Sequence, residues 1–398
     1  MKNLENYKIL NKKVLFRADL NVPVVNGHIT DISRIEAVKP SIQKLILRKN
    51  KIFIISHFGR PKGGINKKFS LEFIIPYLKK VLEIDKIHFL KNLNEKEIDI
   101  KNRNMKDGEV CLIENIRFQK EEENIDLEFT KRISVLFNVF VNDAFSSSHR
   151  NHMSIVGFPN FLPAVAGDHL LKEIHNINFF LKNTKKPNMA ILGGSKISTK
   201  IQLLKNLIEQ FSLIAVGGAM ANTFLLAKKI NIGKSLVEKN LIDEALIIKE
   251  KAKKFNCKLI LPTDVVCGKN IQDRNPKNCN IEEIEPNEMI LDIGKNTTKA
   301  INEAILKSKM VLWNGPLGAF EYKPYDISTN EIAKNIKLNA KKNNISMLAG
   351  GGDTISAIKN TNSEDAFNYI SNAGGAFLEW LEGNESPGVI SLKKNKFI

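Results

Sequence analysis

The chain has 398 residues, 43% of them apolar and 26% charged, with 13 Pro and 23 Gly; this suits two packed units of roughly 150 to 200 residues each and excludes a low-complexity linker or a fibrous repeat. No apolar run approaches the ~18 to 20 residues that cross a bilayer, and the first residues carry no signal-like stretch, so a cytoplasmic protein with no membrane partner is expected. Sixty Lys plus Arg against 43 Asp plus Glu leave a net charge of +17, yet 51 of the sixty are Lys scattered beside A/T-codon residues Asn and Ile, without the aromatic-laced basic tract of a nucleic-acid platform. No nucleic-acid partner is expected.

In chain order, short runs rich in Val, Ile and Phe predict buried strands at residues 14–16, 52–55, 87–90, 110–113 and 137–141. Helical spacing lies between them, as in Ile35, Val38, Ile42, Leu45 and Ile46, so strand and helix alternate as in a parallel sheet covered on both faces. Leu170, Leu171, Ile174, Ile177 and Leu181 then predict one amphipathic helix. The plan repeats with strands predicted at 189–192, 213–216, 259–261, 289–291, 311–313 and 346–349. The fold class is therefore α/β, with one domain over 1–167, a linking helix over 168–183 and a second domain over 184–384. Beyond a helix stop at Gly383, the tail 385–398 carries Val389, Ile390 and Leu392 and is apolar enough to dock.

Cys111, Cys257, Cys267 and Cys279 match neither a metal knuckle nor a CxxC redox site and are expected to be reduced and structural. His149, His152 and His169 lack the HExxH context of a zinc site. Arginine is distributed unevenly: Arg17, Arg34, Arg48, Arg60, Arg103, Arg117, Arg132 and Arg150 precede residue 151, and only Arg274 follows. A guanidinium grips a carboxylate or phosphate through two parallel hydrogen bonds, so this asymmetry points to a small anion bound by the first half. Arg103 and Arg132, in charged stretches, read instead as surface ion pairs.

Ligands of open α/β sheets bind beyond the carboxyl ends of the strands. Those ends read Asp19, Leu20, Asn21; Ser56 to Arg60; Glu114 to Arg117; and Asn142, Asp143 onward to His149 and Arg150. Charge-assisted hydrogen bonds contribute about 1.5 to 3 kcal/mol each, enough for several arginines to seat one compact anion. In the second half glycine replaces arginine: Gly193, Gly194; Gly217, Gly218; Asn314, Gly315, Pro316; and Gly350, Gly351, Gly352 before Asp353 and Thr354. Glycine turns ahead of helices expose N–H groups to phosphate oxygens, which argues for a polyphosphate nucleotide. Gly233, Lys234 and Ser235 do not form a Walker loop, because position 228 is Lys, and no GxGxxG follows the first strand of either half. Lys196 and Lys200, four apart at a helix start, are expected to share a face near the phosphates. Asp353 is either an N-cap or a ligand for nucleotide-bound Mg²⁺.

These strings resemble the phosphoglycerate kinase family over essentially the whole chain, in six ordered motifs at 17–23, 56–61, 114–118, 142–145, 313–321 and 350–354. The resemblance implies two Rossmann-like domains, each a parallel sheet covered by helices, joined by a hinge helix, with an active cleft between them. Asp19, Leu20, Asn21, Arg34, His57, Phe58, Gly59, Arg60, Arg117 and Arg150 would surround 3-phosphoglycerate or 1,3-bisphosphoglycerate. Lys200, Gly217, Gly218, Asn314, Glu321, Gly351, Gly352, Asp353 and Thr354 would hold ATP or ADP, with Glu321 on the ribose and Asp353 on Mg²⁺. Arg34, Lys196, Lys200 and the backbone at Gly352, Gly374 and Gly375 would stabilise the phosphoryl group in transit, in a monomer. Two stretches depart from the family pattern. Asn372 and Ala373 stand where Thr-Gly is usual, and Ser146, Ser147 and Ser148 replace Gly-Thr-Ala, with Ser146 expected to fit poorly in a glycine-like backbone.

Overall fold

The Val- and Ile-rich runs become strands because both of their faces are covered. The structure, a computed structural model, describes residues 1–61 and 64–397, so Ile398, the last residue of the predicted tail, lies outside the described residues. The chain divides into two units, Met1–His175 together with the segment from Glu385 onward, and Asn176–Asn384.

The strands of the first unit are β1 (Lys13–Arg17), β2 (Val24–Val25), β3 (His28–Ile29), β4 (Lys51–Ile55), β5 (Ile87–Leu90), β6 (Val110–Ile113), β7 (Val139–Asn142) and β8 (Ala164–Ala166). Six of them form a sheet of order β5-β6-β4-β1-β7-β8, parallel at every pairing. The last four residues of β1 and β4 are buried, as are all of β6 and β7, which is the pattern of strands sandwiched between helices. From β1 the chain moves to β4 on one side, and from β7 to β8 on the other. The β1–β7 boundary is therefore a topological switch point, where crossovers diverge and leave a crevice at the carboxyl ends. Arg17 is in register with both Ile55 and Asn142, so the three following loops start from one edge.

The helix Asp168–Lys182 crosses the division between the units. Its start is tied to the first unit: Leu170 N–H donates to Asp143 Oδ1 at 2.9 Å, and Asp168 N–H to Ser41 Oγ at 2.8 Å. Burial pushes the Asp143 carboxyl up to about 7.

In the second unit the strands are β9 (Asn188–Leu192), β10 (Leu213–Val216), β11 (Lys258–Ile260), β12 (Asp264–Gly268), β13 (Lys277–Asn280), β14 (Met289–Ile293), β15 (Met310–Asn314), β16 (Ser346–Gly350) and β17 (Tyr369–Ser371). A parallel sheet runs β11-β10-β9-β15-β16-β17 and places its switch point between β9 and β15. Residues 289–291, read from sequence as one more strand of this series, belong instead to a separate antiparallel sheet of order β13-β12-β14. Its β13 is exposed at three of four positions, so no apolar run marks it.

The segment after Glu385 packs within the first unit. Its helix Pro387–Lys393 buries Val389 and Leu392, and Gly388 N–H donates to Ser148 O at 2.8 Å. Asn395 Nδ2 donates to Pro159 O at 2.7 Å and Leu162 O at 2.9 Å, while its Oδ1 accepts from Ala164 N–H at 3.2 Å. Leu392→Ala should therefore lower stability by about 2 to 5 kcal/mol, read as a lower urea midpoint; an unchanged midpoint would show that this helix contributes no packing.

Candidate active site

At the carboxyl edge of the first sheet the loops are locked to one another by buried polar side chains. Leu20 N–H donates to Ser56 Oγ at 2.8 Å, and Gly59 N–H to Asn21 Oδ1 at 2.8 Å. Asn115 Nδ2 donates to Phe58 O at 2.7 Å and Phe69 O at 2.9 Å. These ties hold Asp19, His57, Arg60 and Arg117 on a common framework.

Asp19 is buried, in contact with the Arg34 guanidinium and the Ser146 hydroxyl at Oδ2, and accepts from Asn21 N–H at 3.0 Å. Burial raises its carboxyl, but Arg34, His57 and these hydrogen bonds outweigh that and hold it well below the usual carboxylate range. Ser146 lies in the 3₁₀ turn Phe145–Ser147 with a negative φ. The expected conflict with a glycine-like backbone does not arise, and the hydroxyl works as a donor to Asp19.

Around this pair the positive charge exceeds what nearby carboxylates balance. Arg117 donates to Gly59 O at 2.6 Å, and its buried Nε makes no hydrogen bond, facing Glu123 Oε1 only at 3.9 Å. Burial lowers its pKa; Glu123 and Glu122 oppose that, while the charges of Arg150 and Arg60 add to it. Arg60 and Arg150 are exposed. Arg117, repelled by both Arg60 and Arg150 and with a buried Nε that makes no hydrogen bond, sits in a site that an anion would relax. His57 is pushed down to about 3 by burial and by Arg17, Arg117 and Arg34, against the pull of Asp19, and is neutral at pH 7.

The second unit is built differently. Lys200 is the residue just before the helix Ile201–Gln210, so it and Lys196 do not share a helical face as expected; both precede the helix, Lys196 exposed and Lys200 buried. Lys200 Nζ donates to Gly193 O at 2.6 Å, Asn314 O at 3.1 Å and Asn314 Oδ1 at 2.6 Å, clamping the ends of β9 and β15. Burial pulls it down to about 8, opposed by Asp353. With three donors engaged, Lys200 would have to release a carbonyl to hold a phosphate. A Cβ on Gly193 would collide with the Pro316 carbonyl, so glycine there is demanded by backbone packing at the switch point. Gly218 combines φ +64° with a close approach to the Gly194 backbone, within 2.7 Å of its carbonyl oxygen were a Cβ present. Asn314 Nδ2 reaches Gly350 O at 2.7 Å, and Gly315 N–H donates to Thr354 Oγ1 at 2.6 Å, so the β16 turn joins the same assembly.

Beside these turns opens a cavity of about 460 Å³ lined by Gly194, Gly218, Leu236, Ile290, Leu291, Leu317, Phe320, Glu321 and Asp353, among others. Apolar walls with a few polar groups at one end suit a base and sugar leading to phosphates. Leu236, Ile290 and Phe320 were not singled out from the sequence, because apolar wall residues carry no local signal. Gly352 begins the helix Gly352–Asn360 and Gly375 the helix Gly375–Leu381, with Gly351 and Gly374 as their N-caps. Asp353 is thus in the first turn and not the cap. Ala373 N–H donates to Ser371 Oγ at 3.2 Å just ahead of Gly374. Asp353 is exposed and its carboxylate lines the cavity. Among the described residues no group of three His, Cys, Asp or Glu side chains forms a protein cage for a metal. One open carboxylate fits Mg²⁺, which keeps waters and phosphate oxygens as its other ligands.

A family model described as phosphoglycerate kinase matches residues 4–384. The chain is 41% identical over 394 residues to the phosphoglycerate kinase of Brucella abortus, covering 99% of each. It is 40% identical to that of Cereibacter sphaeroides strain KD131, covering 98% of this chain and 99% of the relative. Among solved structures, phosphoglycerate kinase from Coxiella burnetii superimposes with a TM-score of 0.86 at 37% identity over 98% of both chains, and that from Pyrococcus horikoshii with 0.82 at 29% identity over 99% and 98%.

The half-buried histidines give a pH test. His169 is held at about 4, chiefly by burial, against about 6.5 when unfolded. The unfolded chain then binds the extra proton first, so this group's contribution falls as pH drops from about 6.5 toward 4. His169→Gln should change stability by a constant amount above pH 7 and become relatively more stable at pH 5, in paired urea titrations. Parallel pH profiles would contradict the assignment.

Proposed function

The chain belongs to the phosphoglycerate kinase family, and from that premise we propose that it catalyses reversible phosphoryl transfer between 1,3-bisphosphoglycerate and ADP, giving 3-phosphoglycerate and ATP, in glycolysis. The observation that carries the reading is the grouping of Arg60, Arg117 and Arg150 beside Asp19, Arg34 and neutral His57. Such a group binds a compact phosphate-bearing acid.

In this reading Arg60, Arg117 and Arg150 hold the acid's anionic groups, while Asp19 and Asn21 accept from or orient its hydroxyl, and Leu20, Phe58 and Gly59 supply the enclosing backbone. The attacking carboxylate is already deprotonated at neutral pH, so the reaction needs no general base, and His57, uncharged, acts as a hydrogen-bond partner. Catalysis is positioning and charge stabilisation along an in-line path. Lys196, Arg34 and the N–H groups at Gly352, Gly374 and Gly375 are assigned to the transferring phosphoryl oxygens.

Nucleotide is assigned to the cavity of the second unit, with Glu321 toward the ribose, Gly217, Gly218, Asn314 and Lys200 framing the phosphates, and Gly351 to Thr354 at their far end. Asp353 would hold Mg²⁺. When bound, the ion neutralises charge on the β- and γ-phosphates. Acid and nucleotide are assigned to different units, so transfer requires domain closure that brings them together and excludes water. The helix Asp168–Lys182 carries the chain from one unit to the other and is assigned the hinge. We place the reaction in the cytoplasm and on a single chain; among the described residues no helix is long and apolar enough to cross a membrane.

A coupled assay with 3-phosphoglycerate and Mg-ATP tests the reading: turnover is expected, and nucleotide binding without turnover would favour a degenerate kinase kept for binding. Arg34→Ala should lower kcat on the order of 10²-fold, while the Kd for Mg-ADP stays within about twofold by calorimetry. An unchanged kcat would remove Arg34 from its role.

A further inference from the structure

Arg17 is, among the described residues, the second-largest fully buried side chain, yet the phosphoryl-transfer reading above gives it no task. Its hydrogen bonds have only one possible direction. A guanidinium donates and never accepts. Arg17 Nε donates to Ser154 Oγ at 2.8 Å, Nη1 to Ala18 O, and Nη2 lies 3.3 Å from His57 Nδ1. Since Nη2 supplies a proton, Nδ1 must supply the lone pair.

The other end of the chain of contacts is fixed as well. Ser154 Oγ lies 2.7 Å from Glu122 Oε1, and Ser154 N–H donates to Glu122 Oε2 at 2.9 Å. Glu122 is completely buried, and its carboxyl is held low: burial raises it, but His152, Arg17 and Ser154 outweigh that. An ionised carboxylate only accepts, so the Ser154 hydroxyl gives its one proton to Glu122 and is left to accept from Arg17. Protons therefore point one way along Ser154 to Glu122, Arg17 to Ser154, and Arg17 to His57. Nε2 of His57 makes no hydrogen bond with the described residues and is not sealed from solvent.

We propose that Arg17 is a positioning residue that fixes His57 in the neutral Nε2–H tautomer, so that the imidazole offers the acid substrate a hydrogen-bond donor and no base. The clause about the acid substrate rests on the function proposed above; the tautomer does not. The charged groups facing His57 are Asp19, Arg17, Arg117 and Arg34, from four different loops or elements. The three cations oppose a second proton on the ring and Asp19 favours it, so the tautomer is expected to persist to about pH 5.

Nitrogen NMR of the histidine-labelled, full-length protein without substrate reads the tautomer, with the His57 signals assigned by His57→Gln. The wild type should show an unprotonated Nδ1 and a protonated Nε2 from pH 8 to pH 5. Arg17→Met should give a mixture of tautomers or a histidine that protonates near its ordinary pH. It should also raise KM for 3-phosphoglycerate about tenfold or more, with KM for Mg-ATP within about twofold. Ser154→Ala leaves Arg17 in place but frees its Nε, and should produce a smaller change of the same kind if Arg17→Met fails to fold. A wild-type His57 protonated on Nδ1, or tautomer ratios unchanged in both variants, would overturn the proposal. A correct tautomer in a protein without turnover would instead leave the positioning intact and refute the enzymatic reading.

Discussion

Concentrated guanidinium charge at the carboxyl edge of the first sheet is what the rest of that unit is arranged around. Arg17 is buried and depends on Glu122, itself without exposure, to remain tolerable there. Breaking a buried pair of this kind is costly because it strands the other charge. Arg34 takes Asp19 as partner, and that leaves Arg60, Arg117 and Arg150 with too little negative charge nearby. The loops cannot relax away from one another, since Asn21, Ser56 and Asn115 tie them together. An anion held among these guanidinium groups would offset their mutual repulsion.

The second unit reaches the same kind of end with almost no side-chain charge. Its switch point is closed by one buried ammonium, Lys200, shared among three carbonyl acceptors, and by glycines whose missing Cβ lets backbone segments touch. Helix starts at Gly352 and Gly375 leave N–H groups open to solvent. Backbone donors of this sort suit phosphates and cost no side-chain entropy on binding. In the proposed reading the two units divide recognition by chemistry, planar cations for a small acid and main chain for a nucleotide.

Much of this was legible in the order of residues. Apart from the edge strands Ala164–Ala166 and Tyr369–Ser371, which no predicted run marks, the strands of both parallel sheets fall within one or two residues of the Val- and Ile-rich runs, because strands covered on both faces need unbroken apolar sequence. Where only one face is covered, that signal disappears: Lys277–Asn280 carries a single buried side chain, and the antiparallel sheet around it was missed. The arginine asymmetry pointed to the sheet edge where Arg60, Arg117 and Arg150 gather, but the partners of Arg17 did not show. Ser154 is 137 positions away, and only the fold brings it and Glu122 together. Likewise, the spacing of Lys196 and Lys200 suggested one helical face, whereas the helix begins at Ile201, with Lys196 exposed and Lys200 buried. Ser146, which looked ill-suited to its place, proves to be a donor to Asp19.

Where 3-phosphoglycerate binds decides whether the proposed reading holds. A crystal structure of the full chain with 3-phosphoglycerate alone is the most direct measurement. It should show the ligand on the first unit, with its phosphate or carboxylate held by Arg60, Arg117 and Arg150 and with His57 Nε2 within hydrogen-bond distance. Density for the acid on residues 184–384, or a ligand that leaves those three arginines untouched, would contradict it.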